Sequence, residues 1–192
     1  MYTPSEMQEL AKQLLSIEAP GVAVEVGCNQ GWTSLFLLEA MAERGIRRDY
    51  ICIDTFEGFT KDDVSFEYAE RGKPEGMYDE CFTVNDPEWL RGSLSRSGHQ
   101  NVSVRKADAT TFNYKSLGNI AFALIDVDLY RPVRKSLELI LPNMAAGGVV
   151  VVDDCDPSDE RWDGAHQAYL DFCREQKIEP RFLCNKLGLI RV

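Results

Sequence analysis

No two cysteines in the sequence stand at the spacing of a metal clip or a redox motif; Cys28, Cys52, Cys81, Cys155, Cys173 and Cys184 are scattered. In a chain of 192 residues, long enough to bury a core without staples, they read as reduced thiols, mostly buried. Positive charge is scarce. Lys and Arg number 21 against 31 Asp and Glu, leaving a net charge of -10 and a pI near 4.7. Such a surface repels phosphate backbones and anionic lipid, so neither nucleic acid nor membrane is expected as a partner. The longest apolar runs are of strand length, which excludes a transmembrane helix. The start of the chain also lacks a basic, then apolar, then small-residue pattern, so the expected location is cytoplasmic. With no repeat, linker or low-complexity segment, residues 1–192 read as one domain.

What the chain does have is concentrated between Ile120 and Asp154, IAFALIDVDLYRPVRKSLELILPNMAAGGVVVVDD. A hydrophobic run ends in Asp126 and Asp128, an amphipathic segment follows, and after Gly147-Gly148 a second run ends in Asp153 and Asp154. This is a strand, a crossover helix and a parallel strand, with Gly147-Gly148 as the turn into Val149 to Val152. Ligands of open α/β sheets bind at the carboxyl ends of the strands. Four acids crowded on that edge are costly without compensating charge, which points to a divalent metal. Capping of turns is the competing reading of each acid taken singly.

The rest of the chain repeats the alternation. Thr3-Pro4-Ser5-Glu6 reads as a capping box ahead of a helix ending near Pro20-Gly21. GVAVEVGCNQGW is a strand followed by a turn with Gly27 and Gly31, which opens a helix over residues 33–44. Its spacing misses the G-x-G-x-x-G of dinucleotide enzymes. YICID is a second strand, ending in Asp54, where Rossmann-like sheets place a ribose-binding acid and where an acid capping the next turn is the competing reading. Residues 56–99 read as a long insertion with short helices near Asp62 to Arg71 and Asp86 to Ser95. It forms either a lid and substrate wall or an ordinary surface excursion held by its aromatics. Val102 to Lys106 is a third strand, and Asp108 beyond it suits an exocyclic amine or a turn. Pro132 opens the crossover helix, Gly164 to Gln176 forms the last helix, and two short runs around Asn185-Lys186 form a terminal hairpin. The chain is therefore an α/β protein with helices on both faces of its sheet.

On VEVGCNQGW, IDTFEGF, IDVDLY and VVVDD the sequence resembles the class I S-adenosylmethionine-dependent methyltransferases from Val22 onward, and within them the macrocin O-methyltransferase group, which methylates sugar hydroxyls in natural products. The resemblance implies a Rossmann-like methyltransferase fold, a seven-stranded, mostly parallel sheet with its last strand antiparallel. It implies that Glu25, Gly27 and Gly31 border the methionyl part of the cofactor. Asp54, Thr55 and Phe56 would stand at the ribose, Asp108 and Ala109 at the adenine, and Asp126, Asp153 and Asp154 would ligate Mg²⁺, with Asp126 also bordering the cofactor. Three departures stand out. About twenty residues precede the first strand where the group usually has more, so the insertion or a partner subunit, as in a homodimer, would have to cover the substrate. Val127 takes a place where glycine is common. Leu129, Tyr130 and Arg131 stand where catechol-type relatives carry a lysine base.

Methyl transfer from a sulfonium is an in-line displacement, which needs an aligned nucleophile close to an alkoxide. A hard cation with open positions binds and acidifies a hydroxyl pair. The expected base is His166, whose place in a helix's first turn favours its neutral form, with Asp128 as the rival. The expected activity is Mg²⁺-dependent O-methylation of a small polyhydroxy or phenolic molecule. The alternatives are a metal-independent N- or O-methyltransferase and a non-catalytic cofactor-binding subunit.

Overall fold

The computed structural model describes residues 2–192. Helix α1 (Pro4–Leu15) starts at the expected capping box: the Thr3 hydroxyl accepts from the Glu6 amide, and the Glu6 carboxylate accepts from the Thr3 amide at 2.6 Å. Two otherwise free N–H groups are thereby satisfied. The elements that follow are β1 (Val22–Val26), α2 (Trp32–Glu43), β2 (Tyr50–Asp54), α3 (Lys61–Ala69), α4 (Pro87–Arg96) and β3 (Val102–Lys106). Then come β4 (Ile120–Ile125), α5 (Tyr130–Ile140), β5 (Met144–Val152), α6 (Asp163–Gln176), β6 (Arg181–Leu183) and β7 (Leu187–Arg191).

The strands form one seven-stranded sheet in the order β3-β2-β1-β4-β5-β7-β6. Strands β1 to β5 are parallel, and β7 runs antiparallel to both β5 and β6. Because side chains alternate along a strand, each strand feeds two cores. Ala23, Cys52, Leu124 and Val151 face α1, α2 and α4, packing with Leu10, Leu37 and Leu90. Val24, Ile53, Ile125 and Val152 face α5 and α6, packing with Val133, Leu137 and Phe172. The strand order reverses between β1 and β4, the point at which such sheets open a crevice at their carboxyl ends. No helix among the described residues is long and apolar enough to cross a membrane.

Two expectations about the fold are corrected. The stretch 56–99 is not one excursion: Leu90 and Leu94 of α4 are buried in the core with Val104, and Arg91 donates to the Val104 carbonyl at 2.9 Å. Helix α4 is thus the crossover from β2 to β3, and only the residues between Phe56 and α4 stand apart from the sheet. Gly147-Gly148 is not a turn ahead of a strand but an irregularity within β5. Met144 already pairs with Ile120, and the chain bulges before Val149 pairs with Phe122. A bulge absorbs extra residues without ending the pairing, and a Cβ on Gly148 would lie 2.8 Å from the Ala145 carbonyl oxygen.

Candidate active site

A cleft of about 610 Å³ opens at the carboxyl ends of β1, β2, β3, β4 and β5. Its floor begins at Gly27, where β1 and β4 approach so closely that a Cβ would lie 1.7 Å from the Asp126 carbonyl oxygen. With φ at +87°, the position admits glycine alone. Gly31, also left-handed, opens α2 without a side-chain cap, leaving the free N–H groups that a helix start carries. Glu25 lines the cleft from β1 and is 1% exposed, accepting from the Tyr50 hydroxyl at 2.8 Å and from the Ser34 hydroxyl. Burial holds its carboxyl up at about 7, against the pull of those two donors.

The acids of β2 and β3 are committed to backbone. Asp54 accepts from the Asn29 amide at 2.8 Å with one oxygen and from the Phe56 amide at 2.7 Å with the other. It therefore ties the glycine turn of β1 to the end of β2. Asp108 accepts from both the amide and the hydroxyl of Thr110 at 2.7 Å. Thr55, Asp108 and Ala109 line the cleft, but Phe56 does not: its side chain is turned into the core, a correction to its expected place beside the cofactor.

The acids beyond β4 and β5 are arranged differently. Oxygens of Asp126, Asp128 and Asp154 all lie within 4.8 Å of one another. Asp128 reaches this position because it sits in the left-handed region, with φ at +57°. Asp153, expected in the metal set, lines the cleft but falls outside this trio and pairs with Lys186, whose ammonium lies 3.0 Å from it and 3.1 Å from Asp154. Both aspartates lie beyond the last residue of β5, and it is Asp154, in a left-handed backbone with φ at +54°, that joins the trio. Asp128 takes the place expected for Asp153. Burial first, then the neighbouring carboxylates, push Asp126 and Asp128 well above the usual carboxylate range. Asp153 is raised to about 6, burial and Asp154 outweighing Lys186.

Two further residues close this rim that the sequence did not single out. The Tyr2 hydroxyl donates to Asp126 at 2.8 Å, and Lys186 lies over the Tyr2 ring at 4.7 Å. Lys186 stands in the β6–β7 turn, which is anchored by the Cys155 amide donating to the Lys186 carbonyl at 2.7 Å. The Tyr169 hydroxyl also accepts from the Arg181 and Leu189 amides, fastening the hairpin to α6. A hairpin whose second strand runs antiparallel to β5 must place its turn at the acid end, a signal that was present in the pattern. His166 is the main correction: its ring packs 5.8 Å from Phe182, outside the residues that line the cleft. Its pKa is lowered chiefly by burial.

The aromatics of residues 56–86 converge on one side. Phe59 packs edge-on against Phe82 at 5.4 Å, and Trp162 lies about equally close to Phe59, at 6.1 Å, and to Phe82, at 5.9 Å. All three line the cleft. Among the described residues lining it, Lys186 is the one basic side chain, against Glu25, Asp54, Asp108, Asp126, Asp128, Asp153 and Asp154 at or just beyond the ends of the five parallel strands. Such a field attracts cations, among them a sulfonium.

A parallel sheet reversing its order at a glycine turn, with an acid at the end of the next strand, is the arrangement of the class I S-adenosylmethionine-dependent methyltransferases. The chain belongs to the Methyltransferase domain family, which matches residues 24–155. It is 26% identical over 153 residues to the 8-demethyl-8-(2,3-dimethoxy-alpha-L-rhamnosyl)-tetracenomycin-C 4'-O-methyltransferase of Streptomyces olivaceus, covering 77% of this chain and 58% of that enzyme. The chain thus spans less than two thirds of that relative's length. Among solved structures it is similar to the O-methyltransferase NovP, with a TM-score of 0.74 at 16% identity over 96% of this chain and 77% of NovP. The calicheamicin methyltransferase CalS11 gives a TM-score of 0.74 at 25% identity, covering 96% of this chain and 76% of CalS11.

Proposed function

We propose that the domain transfers the methyl group of S-adenosylmethionine to a hydroxyl of a small sugar-like or phenolic molecule of natural-product chemistry, with Mg²⁺ held by Asp126, Asp128 and Asp154. The observation that carries the reading is the convergence of these three carboxylates in the cleft that the glycine turn also lines. Hard oxygen donors from two neighbouring strand ends suit Mg²⁺, and acids raised by burial and mutual repulsion call for either protons or a cation. When bound, the ion supplies Lewis-acid chemistry that makes a hydroxyl a readier nucleophile.

The chain's own residues do the remainder. Glu25 and the Gly27–Gly31 turn receive the methionyl part of the donor, Asp54 the ribose, and Asp108 with Ala109 the adenine. The acceptor oxygen forms its bond to the methyl carbon as the carbon–sulfur bond breaks, leaving the neutral thioether S-adenosylhomocysteine. The hydroxyl proton passes to a rim carboxylate, Asp128 being the candidate where it is not engaged by the ion. Phe59, Phe82 and Trp162 would take the apolar face of the acceptor and shield the reaction from water. The names of the tetracenomycin relative, and of CalS11 as a TDP-rhamnose 3'-O-methyltransferase, favour a rhamnosyl-type acceptor.

The test is methyl transfer from S-adenosylmethionine to a panel of rhamnosides and phenols, with products located by mass spectrometry and NMR. Methylation on a sugar oxygen supports the reading; transfer confined to amines overturns it. One observation favours a metal-independent variant of the same reaction: Lys186 already neutralises part of the rim. Turnover that survives a chelator would select that variant.

A further inference from the structure

Helix α5 begins directly after the acid rim, yet its N-cap, Leu129, offers no side-chain hydrogen bond. The cap comes from elsewhere. Glu67 of α3, 63 residues earlier in sequence and 0% exposed, accepts from the Tyr130 amide at 2.8 Å through one oxygen. Its other oxygen accepts from Arg71 at 2.8 Å, and Arg71 continues to Asp163, in the first turn of α6, also at 2.8 Å. Phe66 of α3 and Arg71 just beyond it hold Tyr130 as well. Phe66 stacks on its ring at 5.8 Å, and the Arg71 guanidinium lies over it at 5.3 Å.

The joint is close-packed. A Cβ on Gly164 would lie 2.7 Å from the Tyr130 nitrogen, 3.1 Å from the Glu67 carboxylate and 3.3 Å from the Asp128 carbonyl oxygen. Gly164 thus lets the start of α6 touch both the cap and the backbone of the rim acid. A fully buried carboxylate is expensive to keep for stability alone, since well-packed apolar residues often serve as well. Here it satisfies an orphan amide two residues beyond Asp128, whose left-handed backbone is itself uncommon for a residue with a side chain.

We propose that Glu67 is a positioning residue for the reaction: by capping α5 at Tyr130 it fixes the turn that aims Asp128 at Asp126 and Asp154, and makes the acid rim depend on the seating of α3. The proposal rests on the function given above for the metal and proton-accepting roles of Asp128. Glu67 touches neither donor nor acceptor. It acts through the backbone between residues 128 and 130.

Two variants separate the cap from the ion pair. In E67Q the amide oxygen still accepts from Tyr130 but the charge opposite Arg71 is gone. In E67D the charge remains, and the long Arg71 side chain can follow it, but the acceptor is withdrawn by about 1.5 Å from a backbone nitrogen that cannot follow. Mn²⁺ affinity by calorimetry, kcat, S-adenosylhomocysteine affinity and amide exchange across residues 126–133 are measured for both. The expected result is that E67Q stays close to the wild-type protein. E67D loses about tenfold in kcat and Mn²⁺ affinity, exchanges faster across 126–133, and keeps its S-adenosylhomocysteine affinity. The reverse ranking, or E67D indistinguishable from wild type, overturns the proposal. So does a loss shared equally by S-adenosylhomocysteine affinity, which would make Glu67 structural only. If the wild-type protein binds no Mn²⁺ and turns over in chelator, the metal reading fails by itself, and the ranking in kcat and amide exchange still decides the role of Glu67.

Discussion

The two halves of the cleft use the same residue for opposite ends. At the ends of β2 and β3 the acids are spent on local turns: Asp54 holds the amides of Asn29 and Phe56, and Asp108 holds Thr110. On the β4–β5 side Asp126, Asp128 and Asp154 face one another, with the Tyr2 hydroxyl and Lys186 as their compensation. Carboxylates with amide partners are architecture, shaping the turns against which a cofactor lies. Carboxylates that face one another hold negative charge in reserve, and burial makes that charge expensive until a cation arrives.

The comparison breaks most visibly if the rim acids prove replaceable. Asp126→Asn and Asp154→Asn are expected to lower kcat by about a hundredfold or more while S-adenosylhomocysteine affinity, measured by calorimetry, is kept. Loss of cofactor affinity instead would move these acids to the architectural side.

A second effect concerns Glu25, the buried acid of the cofactor half. Its folded-state pKa of about 7 lies above its ordinary value of 4.5, so between those pH values the native protein holds a proton that the unfolded chain has released. Stability of the ligand-free protein from this group is therefore full below pH 4.5 and falls as pH rises to 7, by on the order of 3 kcal/mol. Denaturant unfolding across that range should show the slope, and Glu25→Gln should reduce it, the raised rim acids supplying the remainder.

Lys186→Met sharpens the contrast further. With its side chain 17% exposed and paired to two acids, its loss should cost about 2 kcal/mol without divalent ion. Added Mg²⁺ should then raise Tm more in the variant than in the wild-type protein, because the ion has more repulsion to relieve. An equal rise in both would deny that lysine and metal share one field. The smallest effect is expected on the architectural side: Asp54→Ala should cost about 1 kcal/mol of stability for two turn hydrogen bonds and weaken cofactor binding more than it slows turnover.

How much of this was legible before the structure follows from what each feature depends on. The capping box at Thr3, the strands ending in acids and the terminal hairpin depend on neighbours in sequence, and the periodicity carried them. The partition of the acids depends on side-chain direction. Whether Asp153 or Asp128 joins the trio is decided by where β5 stops and by a left-handed residue after β4, which composition does not record. Phe56 was legible as a motif residue but not as a core residue, since its direction rests on a positive φ of 54°. The role expected of His166 came from its place in a first helical turn, yet the helix presents that position to Phe182. Glu67 was hidden most completely, because its partner amide lies 63 residues away and its neighbours read as an ordinary charged surface. Lys186 could have been found: antiparallel pairing of β7 with β5 obliges the turn before β7 to lie at the acid end.

The central claim, that the rim formed by Asp126, Asp128 and Asp154 holds a divalent ion beside the methyl donor, is tested most directly by following methyl transfer in protein stripped with EDTA and then resupplied with Mg²⁺. The account predicts turnover that collapses in chelator and returns on titration of the ion, with no recovery in Asp128→Asn. Undiminished turnover in excess EDTA would contradict it.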